Sequence, residues 1–173
     1  VSVAYPLRDW VDVGGTAKGV IEDIDTETAY GALFDAGVIV RPPVAWLTGL
    51  ALGGVVQNLG KSMKFIEVPF DAPRTFRGGA SYTRALESIR GRVGVACDLV
   101  FPRDDDTQVN VGFEYTYSDL ISGRVGYRGR ADTQGVTTGL GVRYRSFTVD
   151  YAYVPFSENL GNTHRIGVGY AFE

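Results

Sequence analysis

Apolar and polar residues alternate along most of this chain with a period of two. The last stretch is the clearest case. Phe147, Val149, Tyr151 and Tyr153 alternate with Thr148, Asp150, Ala152 and Val154. After the polar segment Ser157 to Thr163, His164, Ile166, Val168, Tyr170 and Phe172 alternate with Arg165, Gly167, Gly169 and Ala171. Successive strand residues point to opposite faces, so two such runs joined by a polar turn predict a β-hairpin. One face is aromatic and aliphatic. The other carries glycine or charge where a water-soluble sandwich would place its core. That asymmetry predicts apolar faces turned to lipid and small or charged faces turned into a barrel.

The same alternation runs from Val1 to Leu7, Trp10 to Glu22, Tyr30 to Val40, Trp46 to Leu59, and Arg74 to Tyr82. It resumes from Arg92 to Phe101, Gln108 to Tyr117, Ile121 to Arg128 and Thr138 to Arg145. With the closing pair this makes about eleven strands of roughly nine to twelve residues, the length a tilted strand needs to cross a bilayer. No stretch predicts an amphipathic helix, and no linker or repeat divides the chain. Residues 1–173 are expected to form a single all-β domain.

The connections add an orientation. Tight turns are expected near Arg8-Asp9, Pro42-Pro43, Ser118-Asp119 and Arg145-Ser146. Longer links are expected at Asp23 to Glu27, Gly60 to Pro73, Pro102 to Thr107, Gly129 to Gln134 and Ser157 to Thr163. Short periplasmic turns and longer extracellular loops are the habit of outer-membrane barrels. The link Thr83 to Arg90, one helical turn or a loop, is the exception, because it falls on the short side without being short. With Phe172 at the periplasmic rim, the first strand starts outside. Eleven antiparallel strands then close only through a parallel first–last pair, so the expectation is that further strands precede Val1; the alternative is a strand count that is off by one.

Composition narrows the classes. Hydrophobic residues are 45% and charged residues 21% of the 173, and no run of about 18 apolar residues is present, so a helical membrane span is not expected. Glycine at 23 and tyrosine at 10 suit curved sheets with aromatic girdles. A net charge of -3 gives no electrostatic case for nucleic acid. One cysteine, Cys97, and one histidine, His164, leave no internal disulfide and no Cys/His metal site within this chain. No cofactor and no catalytic set is predicted, so an enzyme is not expected. The Asp104–Asp106 run lacks the spacing of a calcium loop and reads as a solvated tip. Cys97 falls on the apolar face as a small hydrophobe.

The candidate functional residues lie on the polar faces. Lys18, Asp35, Arg77, Asp98, Glu114, Arg124, Arg143, Asp150 and Arg165 are predicted to face the interior. Both signs are present. A network of cross-strand pairs explains them most simply; the alternative is a lumen that passes or senses a solute. Mixed signs argue against a strongly ion-selective pore. The stretch Gly60 to Pro73 is expected to be irregular. Its Lys61, Met63, Phe65, Ile66 and Phe70 make it the candidate partner-binding loop, with packing over a barrel mouth as the alternative.

Several pieces together resemble one family. Asp150 to Phe172 (DYAYVPFSENLGNTHRIGVGYAF) resembles the ending of PorV/PorQ-type outer-membrane proteins, in the FadL-like group of barrels. VDVGGTAK at Val11–Lys18, FDAGVIVRPP at Phe34–Pro43, LALGGVVQNLGKSMKF at Leu50–Phe65, FPRDDDTQVNVGFEY at Phe101–Tyr115 and VGYR at Val125–Arg128 follow in the same order. The resemblance implies a 14-stranded antiparallel transmembrane β-barrel in the bacterial outer membrane, of which about eleven strands are present here. It implies outer-membrane lipid around the chain, and a role in type IX-like secretion that receives a secreted cargo or other secretion-system proteins. Transport of hydrophobic solutes, as in the wider FadL-like group, and a structural scaffold are the alternatives. Glu173 after the final aromatic residue departs from the usual ending.

Overall fold

The computed structural model describes residues 1–24, 27–60, 63–65, 68–70, 72–129, 135–156 and 161–172, with side chains outside 22–29 and 61–71. Eleven strands form one antiparallel sheet. In chain order they are β1 (Ser2–Arg8), β2 (Val11–Ile24), β3 (Glu27–Val40), β4 (Leu50–Gly60), β7 (Thr75–Leu86), β8 (Gly91–Pro102), β9 (Gln108–Tyr117), β10 (Ile121–Gly129), β11 (Val136–Tyr144), β12 (Phe147–Pro155) and β13 (Asn162–Tyr170). Each pairs with its neighbours in that order, and β1 and β13 are the edges. The two remaining strands, β5 (Met63–Phe65) and β6 (Val68–Phe70), pair with each other as a separate small hairpin. The backbone divides into two compact units, Val1–Gly79 with Val100–Thr107, and Ala80–Leu99 with Gln108–Glu173.

Four links differ from expectation, each for a local reason. The stretch Gly60 to Pro73 is not wholly irregular, because Met63–Phe65 and Val68–Phe70 pair in register. The expected segment Asp23 to Glu27 is mostly strand, since the β2–β3 ladder continues to the Ile24↔Glu27 pair. Thr83 to Leu86 belongs to β7, and only a 3-10 turn, Glu87–Ile89, separates it from β8. Arg90 closes that turn at φ 47. The link is therefore short after all. The opposite holds after β3. Pro42 and Pro43 stop that strand, but a 3-10 turn, Ala45–Leu47, follows and Gly49 at φ 97 releases β4 only at Leu50. Trp46 sits in this turn, not on a strand. The Ser118-Asp119 turn is tight as expected, with both residues at positive φ (47 and 56). Three residues, Ser118 to Leu120, make the link, and the Leu120 N–H donates to the Tyr117 carbonyl at 2.9 Å.

The packing is sparse. Among the described residues only Leu33 and Ala72 are buried apolar side chains, with Val20 against them. Leu33 lies two places from Asp35 on β3, and Val20 two places from Lys18 on β2, so this small core is on the polar face. The opposite face keeps its large apolar side chains exposed, among them Val3, Phe34, Phe76, Phe113, Val125, Leu140, Val149 and Ile166. A water-soluble two-layer fold would bury that face against a second layer.

Candidate functional site: two charge clusters on the polar face

In the first unit, the cluster is built on a bulge. The β3–β4 register pairs Phe34 with Leu59 and Ala36 with Val56, so Asp35 faces two residues of β4, Gln57 and Asn58. Asn58 takes φ 59, the left-handed region that asparagine tolerates better than most residues. In that conformation its backbone N–H donates to Asp35 Oδ1 at 2.9 Å. Its side chain accepts from Lys18 Nζ at 2.6 Å and donates through Nδ2 to the Pro73 carbonyl at 2.9 Å. Lys18 also pairs with Asp35 at 2.7 Å. β2, β3 and β4 are thus tied together by one contiguous polar group. Toward the far end of the same ladder, Asp12 of β2 pairs with Arg41, the residue after β3.

In the second unit the cluster is built on glycine. Arg124 on β10 lies opposite Glu114 on β9, and its Nε donates to Glu114 Oε2 at 2.5 Å. On its other side Arg124 faces Gly139 of β11. The guanidinium crosses that strand and donates through Nη1 to Asp150 Oδ1 of β12 at 2.6 Å. The span covers two strand spacings, about 9–10 Å, within reach of an arginine only if nothing stands on the strand between. A Cβ on Gly141 would lie 2.7 Å from Asp150 Oδ1 and 3.5 Å from both terminal guanidinium nitrogens, and one on Gly139 would lie 3.7 Å from the Arg124 Cβ. The glycines of β11 are the channel through which Arg124 reaches Asp150. Thr116, buried beside this group, hydrogen-bonds Ser122 at 3.0 Å and donates to Glu114 at 3.3 Å.

Six of the nine expected interior charges are therefore placed. Lys18 pairs with Asp35, Arg124 with Glu114 and Asp150, and Arg165 lines the same trough as Arg124. Arg77 and Asp98 each have an interaction partner. Arg143, exposed on β11, joins neither cluster. Of the candidate partner loop, Lys61 and Ile66 lie outside the described residues. Met63, Phe65 and Phe70 lie in β5 and β6, with side chains outside the described set. Among the described residues no group of His, Cys, Asp and Glu is placed to hold a metal ion. Asp106 turns its N–H onto Asp105 Oδ1 at 2.7 Å, so that acidic tip is folded on itself.

The sequence reading missed Asn58. Its signal, a Gln57-Asn58 pair within an otherwise apolar strand, is present but common. The aromatic face was also only half legible. His164 lies on it between Tyr151, whose hydroxyl is 2.7 Å from His164 Nδ1, and Tyr153, with ring centroids 5.3 Å apart. At the other end of the same hairpin Tyr170 stacks edge to face with both Phe147 and Phe172, its ring centroid 4.9 Å from each. No family model matches the sequence, and no curated protein matches it.

Proposed function

We propose that the chain is the membrane-embedded wall of an outer-membrane β-barrel, in the 14-stranded arrangement that the resemblance to PorV/PorQ-type proteins implies. One observation carries the reading: an eleven-stranded sheet with two buried apolar residues among those described, and a continuous apolar face that is exposed. Exposed apolar area on this scale calls for a cover, and lipid needs no complementary protein surface. The β12–β13 hairpin supports it. Aromatic groups mark both of its ends, with Val149, Tyr151, Ile166 and Val168 along it. The six steps from His164 to Tyr170 span about 20 Å of strand, which at the tilt of barrel strands rises roughly 15 Å and fits within an outer-membrane apolar band of about 25 Å. No helix among the described residues is long and apolar enough to cross a membrane.

Within that frame the role is protein secretion, in which the barrel receives or shuttles a secreted cargo. Support for the role comes from the resemblance of the chain's ending and its ordered internal pieces. Passage of a solute is the second reading, favoured by the trough around Arg124. Recovery of the native protein from the soluble fraction without detergent would defeat the membrane reading. A sharper test is Leu140→Arg. Leu140 is 61% exposed, so in water the change is nearly neutral. At the middle of a bilayer an outward arginine costs about 2–4 kcal/mol. Folding titrations into lipid vesicles and into detergent-free buffer separate the two. Pull-down of cargo by the native protein, against uptake assays in cells lacking it, separates secretion from transport.

A further inference from the structure

The trough of the second unit holds an arginine that its own strands leave over. Asp150 lies opposite Gly167 of β13, so Arg165, two places along on the same face, is its diagonal neighbour. Asp150 nonetheless pairs with Arg124, two strands away, and so does Glu114. Arg165 makes no ion pair with any described residue. Between the two arginines in the same row stand only Gly139 and Ala152. Three strand spacings, about 14 Å, separate their backbones; the Arg124 side chain lies along the Gly139 step, and the floor between it and Arg165 is Ala152, no longer than a methyl group. The trough has a volume of about 740 Å³ and is lined by Arg124, Arg128 and Arg165 against Glu114 and Asp150. Of these, Arg165 is the cation that the two carboxylates leave to itself.

We propose that this trough binds a compact anionic solute carrying a carboxylate or phosphate group, with Arg165 as the receiving cation and the floor at Ala152, between Arg165 and the Arg124 side chain, as its seat. Arg124 is the fixed wall: its two carboxylates hold it flat, and it shields the entering anion from Asp150. A guanidinium offers a planar, two-pronged donor set that matches either oxyanion. The lining lies on one unit, so the site stands whether or not the sheet closes into a barrel.

The test is calorimetry on the purified, folded chain in detergent at constant low ionic strength. Inorganic phosphate and succinate are the probes, with tetramethylammonium as the cation control. At least one anion should bind saturably and the cation should not; the anion that binds identifies the group. Arg165→Gln should weaken binding by roughly tenfold, as loss of a charged hydrogen bond does, and Arg165→Lys should recover part of it. Ala152→Leu keeps the arginine but fills the floor, and should abolish binding; it carries the test if Arg165→Gln does not fold. Arg8→Gln, a surface change in the other unit, should bind as the parent does. Absence of saturable anion binding by the parent, or equal binding by Arg165→Gln and Arg8→Gln, overturns the proposal. Membrane partition does not enter these readings, so failure here is distinct from failure of the barrel reading.

Discussion

The two charge clusters meet the same demand in opposite ways. Both hold ionised side chains on the polar face of a sheet. In the first unit the backbone bends to the charges: a bulge turns Asn58 into the left-handed region and brings N–H, C=O-type and ammonium groups together. In the second unit the backbone stays regular and a side chain does the travelling, over a strand stripped to glycine. The first solution is better shielded. Its Lys18 and Asp35 side chains are 33% and 15% exposed, against 43% and 42% for Arg124 and Asp150. Ion pairs gain from shielding only when every partner is satisfied. The bulge is therefore the stiffer tie and the arginine bridge the softer one.

That ranking can be broken. Asn58→Ala removes side-chain bonds to Lys18 and Pro73 and puts a residue less tolerant than asparagine at φ 59; a loss of roughly 2–4 kcal/mol is expected. Asn58→Gly should recover about 1 kcal/mol of it by relieving the backbone alone. Urea midpoints of folding into detergent micelles measure both. Next comes Gly141→Ala, at roughly 1–2 kcal/mol, because the new methyl displaces Asp150. In an Asp150→Ala background the same change should cost nearly nothing, and this non-additivity is the signature of the bridge. If Gly141→Ala proved costlier than Asn58→Ala, the ranking of the two ties would be reversed. The smallest effect is Arg124→Lys, at about 0.5–1 kcal/mol, since lysine lacks the fork that holds two carboxylates. Raising the salt concentration should shrink that difference, whereas the Asn58 effect should persist.

Much of this was legible in the alternation. Eleven strands, the Ser118-Asp119 turn and the residues of the polar face all follow from a period of two, because strand geometry assigns a face to each residue. The choice of partner within a face was not. Asp150 has Arg165 diagonally beside it on the next strand, yet it pairs with Arg124. Only the register of three strands and the emptiness above β11 decide that. The Thr83 to Leu86 segment was ambiguous because threonine, arginine, alanine and leucine suit either a strand or a turn; the ladder beside it settled the matter. Asn58 was hidden for a further reason. A bulge is a mismatch between two strands, and no single strand's pattern carries it.

The crossing of β11 by Arg124 has a consequence for how this chain can vary. A residue with a Cβ at position 141 collides with the acid at 150 before it touches anything else. An acid at 150 without the arginine at 124 stands diagonal to Arg165 and is free to turn to it. Positions 124, 141 and 150, separated in sequence and placed on three strands, therefore tolerate substitution as a set and resist it singly. Among descendants of a common ancestor they should change together, and a relative that carries alanine at the second should have given up the first or the third.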